Sequence, residues 1–412
     1  MMEKISFKKN SLFILFLLVM SILTFGLAMS YGTKYLPNIL IFVGSFVAAY
    51  FVFDKWFYVK RVFVEKSILT DKTLSLLLNG LIVFVFVFQI IHYLSLGSVP
   101  VIKAALSNDY YEIAHIRQEI KMVDSWLIRY TASFVLKAVI PVLIVLLYFR
   151  NKKQFWLFAV IAIFYALALM QKAYIATIFI PLILKLIMLR KWFGVVLMSS
   201  IVGGGIIFLM YVANPENRPK FEDGQPEVVE VGMEELDDLD KKAPGGIVTA
   251  LYQRIFITTG EMVGNWFHYV PDSLVFLNGQ GYRLAAPMVG GTYHDYSREI
   301  YDKIYLKEAA LGLTGTATTA YFMYDYANFG NVGLLIAAIY LAFFLILIKR
   351  LFKDDYLHLF ALNGLFVLWL SSAAFTTTFF SGGWILVLFL YFIFQPFFKD
   401  LTTTKDAREN SK

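Results

Sequence analysis

Cationic, acidic and aromatic side chains crowd into one polar passage, Tyr252 to Gly333, of a chain that is otherwise apolar. Arg254, Arg283 and Arg298 are spread along it, with Glu261, His294 and Asp325 as groups that take or give a proton. Guanidinium groups grip phosphate oxygens in a forked geometry and stabilise charge building on a departing pyrophosphate. A nearby carboxylate or imidazole would deprotonate an attacking hydroxyl. Tyr252, Trp266, Tyr282, Tyr296 and Tyr324 suit the faces of sugar rings, and equally suit anchoring at a membrane interface. The arginines have a plainer reading as surface charge or as ion pairs with Glu261, Asp295 or Glu299. Transfer of a group from a phosphate-linked donor to a hydroxyl is the chemistry this set would perform.

Further cations stand near or inside apolar stretches. Lys172 lies in a tight turn between two such stretches, and Lys137 lies about two turns into another. An ionisable group within a span is costly and faces a cavity or a partner by default, although a lysine near a span end also reaches back to the interface. That second behaviour is expected of Lys185. No P-loop, Gly-x-Ser-x-Gly or His-Glu-x-x-His pattern is present, and there is no cysteine. No thiolate metal site or thiol nucleophile is therefore expected, and none of these cofactor or catalytic motifs is called on.

The residues around this passage must hold it at a membrane. The 412-residue chain is 59% hydrophobic and 16% charged, well away from the balance of a soluble domain. Its mean hydropathy is +0.65. An all-α polytopic membrane protein follows. The net charge of +7 would suggest nucleic acid in a soluble chain; here the basic residues mark topology, and no nucleic-acid partner is expected.

A span takes about 20 apolar residues, and ten stretches qualify: Ser11–Tyr31, Tyr35–Phe53, Thr73–Leu96, Thr131–Phe149, Phe155–Met170, Ala173–Leu189, Phe193–Val212, Asn328–Ile348, Tyr356–Phe375 and Gly382–Phe398. The first resembles a signal peptide, with Lys4, Lys8 and Lys9 before it and a faint Ala28-Met29-Ser30 cleavage pattern. Its length and the closely following second span make it an uncleaved anchor. The N-terminus, the 54–72, 150–154, 190–192 and 349–355 segments and the tail each carry two or more Lys or Arg. The two short loops on the other side carry only Lys34 and Lys172. Both termini are then cytoplasmic, and the loops 97–130 and 213–326 face outward. No internal repeat is visible, which weakens a secondary-transporter reading.

Three parts result: a bundle over 1–212, an outward loop over 213–326, and spans with a tail over 327–412. Within the large loop, 214–242 is acidic and proline-dotted, reads as a solvated flap, and has no EF-hand spacing. From 244 onward the character changes: Ile247–Tyr269 reads as one helix that puts Arg254 and Glu261 two turns apart on one face, and Ser297–Leu311 reads as another. In the first loop, Pro100 predicts an extended Ser98–Ile102. Asp109 and Glu112 have capping-box spacing, and Ile113, Ile116, Ile120 and Val123 recur at helical spacing opposite His115, Arg117 and Lys121. That helix either lies in the lipid interface or packs on the bundle.

Val99-Pro100-Val101-Ile102 with Arg117 downstream, the late large loop, and Gly315-x-Thr-x-Thr-Thr followed by Tyr324-x-Asp-x-x-Asn-Phe-Gly-Asn-Val-Gly together resemble the Wzy-type oligosaccharide repeat unit polymerases of O-antigen and capsule synthesis. The resemblance implies a GT-C-like membrane fold in the bacterial plasma membrane and metal-independent glycosyl transfer. Glycan on undecaprenyl pyrophosphate would pass to a fresh lipid-linked repeat unit, with a chain-length regulator as a possible partner. It implies an essential basic residue where Lys172 stands, often arginine in the family, and an early-loop arginine at Arg254. Arg283, Arg298, Arg117 and Lys137 would assist substrate binding, Glu261 or His294 would be the base, and Tyr324 and Asp325 would contact sugar or brace the loop. The neighbouring readings are an O-antigen ligase of the same architecture and a non-catalytic flippase or exporter.

Overall fold

The computed structural model of this protein describes residues 8–57, 69–120, 125–213, 249, 252–283, 285–310, 315–353 and 355–398. The acidic stretch 214–242 and Val123 lie outside the described residues. Every regular element among those described is helical, with no strand. Among the described residues seven helical segments are long and apolar enough to cross a membrane, and the chain is a multi-pass membrane protein.

In chain order the helices are α1 (Ser11–Tyr31), α2 (Leu36–Trp56), α3 (Asp71–Ser95), α4 (Pro100–Leu106) and α5 (Tyr110–Glu119). One long helix follows, α6 (Trp126–Phe134) running through a π turn (Val135–Val139) into α7 (Ile140–Arg150). Next come α8 (Lys152–Ala168), α9 (Lys172–Met188) and α10 (Trp192–Ala213). In the large loop a second π turn (Gln253–Ile257) leads into α11 (Thr258–Tyr269), and α12 (Tyr296–Ile304) and α13 (Leu306–Ala310) come after it. The chain closes with α14 (Tyr321–Phe329), α15 (Asn331–Phe352), α16 (Tyr356–Trp369), α17 (Phe375–Phe379) and α18 (Trp384–Ile393).

All ten apolar stretches of the sequence form helices over at least part of their length, but α8 and α9 have 17 residues each, α16 only 14 and α18 only 10. At 1.5 Å per residue α8 and α9 reach about 25 Å, short of a ~30 Å hydrocarbon core. The core is built by α2 against α15, α9 against α7, α10 and α16, and α1 against α16 and α11. Phenylalanines fill it: Phe42 stacks on Phe322 at 4.3 Å, and Phe366 on Trp384 at 5.3 Å. The first π turn has a local cause. Pro141 has no N–H to give and its ring presses on the carbonyl four residues back, at Lys137, so the helix widens there.

Several expectations give way. Pro100 starts a helix instead of extending the chain, because a missing N–H costs nothing at the first helical position; only Val99 before it is extended. Ile113, Ile116 and Ile120 are buried in the common core beside α4 and α10, so α5 packs on the bundle rather than lying in the lipid interface. Glu112 takes a 2.6 Å bond from the Ser107 hydroxyl. The stretch expected as one helix from 297 to 311 breaks at Tyr305.

Candidate functional site

Lys172 opens α9 directly after a reversal at Met170, whose φ of 54° turns the chain back sharply. It is half-buried, outside the apolar part of the helix. Burial first, and then the charges of Arg117 and Arg254, hold its ammonium below the ordinary lysine range. Arg117 and Arg254, from two other segments, are therefore near enough to Lys172 for their charges to act on it. Arg117 reaches there because the buried isoleucines of α5 turn its polar face outward. Arg254 is exposed on the second π turn. Among the described residues none of the three has an acidic partner within ion-pair distance. A like-charge cluster of this kind is unfavourable alone and becomes favourable around a polyanion.

The element carrying Arg254 is docked into the bundle by glycines. Gly260 and Gly264 face Leu23, Gly26 and Leu27 of α1, and a Cβ on Gly260 would collide with the Leu27 backbone. A Cβ on Gly26 would lie 2.5 Å from the Phe256 carbonyl oxygen. Small residues four apart let two helix backbones touch, the device of tightly packed membrane helices. Tyr31, the last residue of α1, pins this contact with a 2.6 Å bond to the Asn265 amide oxygen. The π turn adds one residue to its turn, so Arg254 and Glu261 do not share a face as the sequence suggests; they are offset by about one residue position, roughly 100°. Glu261 lies about 10 Å along the axis from Arg254 and borders an open cleft beside Met29.

His294 is placed elsewhere. It lines a small hollow with Trp266 and Tyr324 and holds Glu299 at 2.5 Å. Trp266 is twelve residues beyond Arg254, roughly 18 Å along the helix. His294 thus stands well away from the three cations, and Glu261 is the nearer proton acceptor. Arg283 sits over the Tyr293 ring at 4.9 Å, and Arg298 is exposed on α12. Lys137, in the first π turn, faces the Trp369 ring at 5.5 Å.

Tyr324, Asp325 and Asn328 brace the loop. Tyr324 packs on Trp266 at 5.0 Å, and Trp266 donates to the Ala317 carbonyl at 2.9 Å. The buried Asp325 carboxylate accepts from the Tyr282 and Tyr340 hydroxyls, the latter at 2.7 Å. Burial pushes its carboxyl up to about 6 even though both phenols favour the charged form. Asn328 Oδ1 takes the N–H groups of Gly279 and Gly281, both at 3.0 Å, and its Nδ2 donates to Tyr324 at 2.8 Å. The Gly279-Gln280-Gly281 turn is clamped this way, and a Cβ on Gly281 would strike the Asn328 side chain.

A second polar cluster, at the opposite and basic end, escaped the sequence reading. Lys185 is 1% exposed, so it does not reach back to the interface. Its Nζ meets His358 Nε2 at 2.6 Å, and His358 Nδ1 meets Asp355 at 2.7 Å. Tyr391 donates to the same carboxylate at 2.7 Å. The signal in the sequence was the Asp355 to His358 spacing, which puts both on one turn of a helix. Among the described residues no group of acidic and histidine side chains is arranged to hold a metal. Comparison with protein-family models, curated proteins and solved structures gives no match.

Proposed function

We propose that this protein is a glycosyltransferase that polymerises undecaprenyl-pyrophosphate-linked oligosaccharide repeat units at the outer face of the bacterial plasma membrane. It does so as a ten-span, GT-C-like protein with both termini in the cytoplasm. The observation that carries the reading is that the charges of Arg117 and Arg254, from two other segments, reach Lys172, with none of the three paired to an acid among the described residues. A lipid pyrophosphate is a polyanion that arrives in the plane of the membrane, where α1 and the second π turn hold Arg254. Reactions on that face have no nucleotide-sugar supply, so a lipid-linked donor is the available activated sugar. The three cations neutralise the pyrophosphate as it departs, and they do more for the charge that develops in the transition state than for the ground state. Glu261, about 10 Å along the helix from Arg254, takes the proton.

The test is a glycan ladder from a deletion strain carrying wild-type, Arg254→Ala or Lys172→Ala protein. The expected result is a full ladder with wild type and single lipid-linked units, already translocated, in the deletion and both variants. Untranslocated units in the deletion would make the protein a flippase. A full ladder that fails to reach its final acceptor would make it a ligase. Full-length polymer from both variants would sink the cation assignment.

A further inference from the structure

Beside the second π turn lies a cleft of about 480 Å³, within the range of ligand sites of ~300–1,000 Å³. Its floor is apolar, from Met29 and Ile257, and its wall carries Tyr252, Gln253, Thr258 and Glu261. The wall chemistry is selective. A carboxylate, an amide and hydroxyls make hydrogen bonds with a polyhydroxyl ligand, and an aromatic ring covers its apolar face. An anion would meet the Glu261 charge, and among the described residues no cation lines the cleft. Glu261 makes no ion pair among the described residues, so its oxygens are open to a ligand. The Thr258 hydroxyl donates to the Gln253 carbonyl at 3.2 Å, which fixes the turn and keeps an oxygen lone pair for the cleft. Tyr252 is held by its neighbour Phe256, with ring centroids 5.2 Å apart.

The π turn gives this cleft its meaning. Gln253, Thr258 and Glu261 line the cleft, while Arg254, one residue on from Gln253 and so on an adjacent face, does not line it and is near enough to Lys172 for its charge to act there. We infer that the cleft is an acceptor subsite for the uncharged, hydroxyl-bearing end of a glycan, set one helix face away from the cations that hold the donor's pyrophosphate. This inference rests on the polymerase reading above and assigns its second substrate a place. In the step it serves, an acceptor hydroxyl oxygen bonds to the donor's anomeric carbon, and the bond from that carbon to the phosphate oxygen breaks. Undecaprenyl pyrophosphate leaves with the bonding pair on the Arg117, Lys172 and Arg254 side. The hydroxyl proton passes to the Glu261 carboxylate and from there to water.

The experiment uses full-length protein in lipid nanodiscs. The donor is lipid-linked repeat unit extracted from the deletion strain. The acceptor probe is the same repeat unit released from its lipid by mild acid, and inorganic pyrophosphate serves as competitor. Tyr252→Ala and Gln253→Ala are expected to raise KM for the soluble acceptor about tenfold and leave donor KM and pyrophosphate inhibition unchanged. Glu261→Gln is expected to lower kcat ~100-fold or more with both KM values kept, the scale of a lost general base. Unchanged pyrophosphate inhibition in each variant also reports intact folding. Active wild type with an unmoved acceptor KM in Tyr252→Ala and Gln253→Ala would overturn the subsite and leave the polymerase reading standing. A shift in donor KM or pyrophosphate inhibition in those variants would reassign the cleft to the donor. Wild type that transfers nothing would remove the polymerase reading and the subsite with it.

Discussion

Two lysines on one helix, thirteen residues and roughly 20 Å apart along α9, meet opposite treatment. Lys185 is sealed in the interior and fully answered: His358 takes its proton side, Asp355 balances the charge through the imidazole, and the Phe149 ring lies 4.1 Å below. Lys172 is half-open and faces two more positive charges. A buried charge with a complete set of partners belongs to the fold, because each member is costly without the others. A crowd of like charges at a surface weakens the fold and persists where an anion repays it. The difference teaches where to look for function in a membrane protein: at the cation left unsatisfied rather than at the one best satisfied.

The largest effect should come from breaking the satisfied end. Lys185→Met leaves the partly buried Asp355 and the buried His358 without their countercharge, at a cost of up to ~3 kcal/mol. Thermal unfolding in detergent is expected to show a clear loss of Tm, with transfer per folded molecule unchanged. Lys172→Met should do the reverse. Transfer falls by ~10²–10³ as a charge-stabilising group is lost, while Tm holds or rises by a small amount as repulsion is relieved. If Lys172→Met destabilises and Lys185→Met does not, the comparison is inverted and the roles assigned to the two ends are wrong.

A gentler pair of measurements sharpens it. Lys172→Arg should keep transfer within about tenfold, since the charge stays and a forked donor replaces a point charge. pH separates the two. The folded, unliganded protein holds its Lys172 proton less tightly than the unfolded chain, whose value is 10.5. Lys172 therefore weakens the fold at low pH, and the strain eases as pH rises toward 10.5. Pyrophosphate inhibition should fall over the same rise and stay flat in Lys172→Arg; equal pH profiles would count against the lysine. The smallest effect is that of salt. Pyrophosphate affinity should weaken as ionic strength climbs past the physiological range, where the screening length is about 8 Å. The Tm contribution of the sealed Lys185 cluster should not move.

Much of this architecture is legible in the sequence, for a plain reason. Apolar runs of membrane length have few alternatives to a helix, since lipid leaves backbone polar groups no other partner, and α1 has the very bounds read from composition. Arg254, Lys172 and Arg117 were legible one by one as cations outside the greasy runs. Their meeting was not, because it depends on how α5 and the second π turn pack. The offset between Arg254 and Glu261 was hidden for a related reason: a π turn changes rotation by one residue without changing composition. Asp325 reads in the sequence either as a group for chemistry or as a brace for the loop, and which partners it accepts from, Tyr282 and Tyr340, was hidden because they lie 43 residues before it and 15 after it. Lys185 was misread because its partner, His358, is 173 residues away and apolar surroundings alone suggest escape to the interface.

The glycine contact between α1 and α11 also has a meaning in time. Tyr31 and Asn265, which close that contact, are 234 residues apart. At roughly 5–20 residues per second of synthesis, the first span waits about ten to fifty seconds for its partner. Through that interval the Gly26 notch is open within the nascent bundle, and any other small-faced helix arriving earlier is a competitor for it. The chain's first helix is thus among the last to be completed, and the docked position of Arg254 cannot exist on a partly made protein.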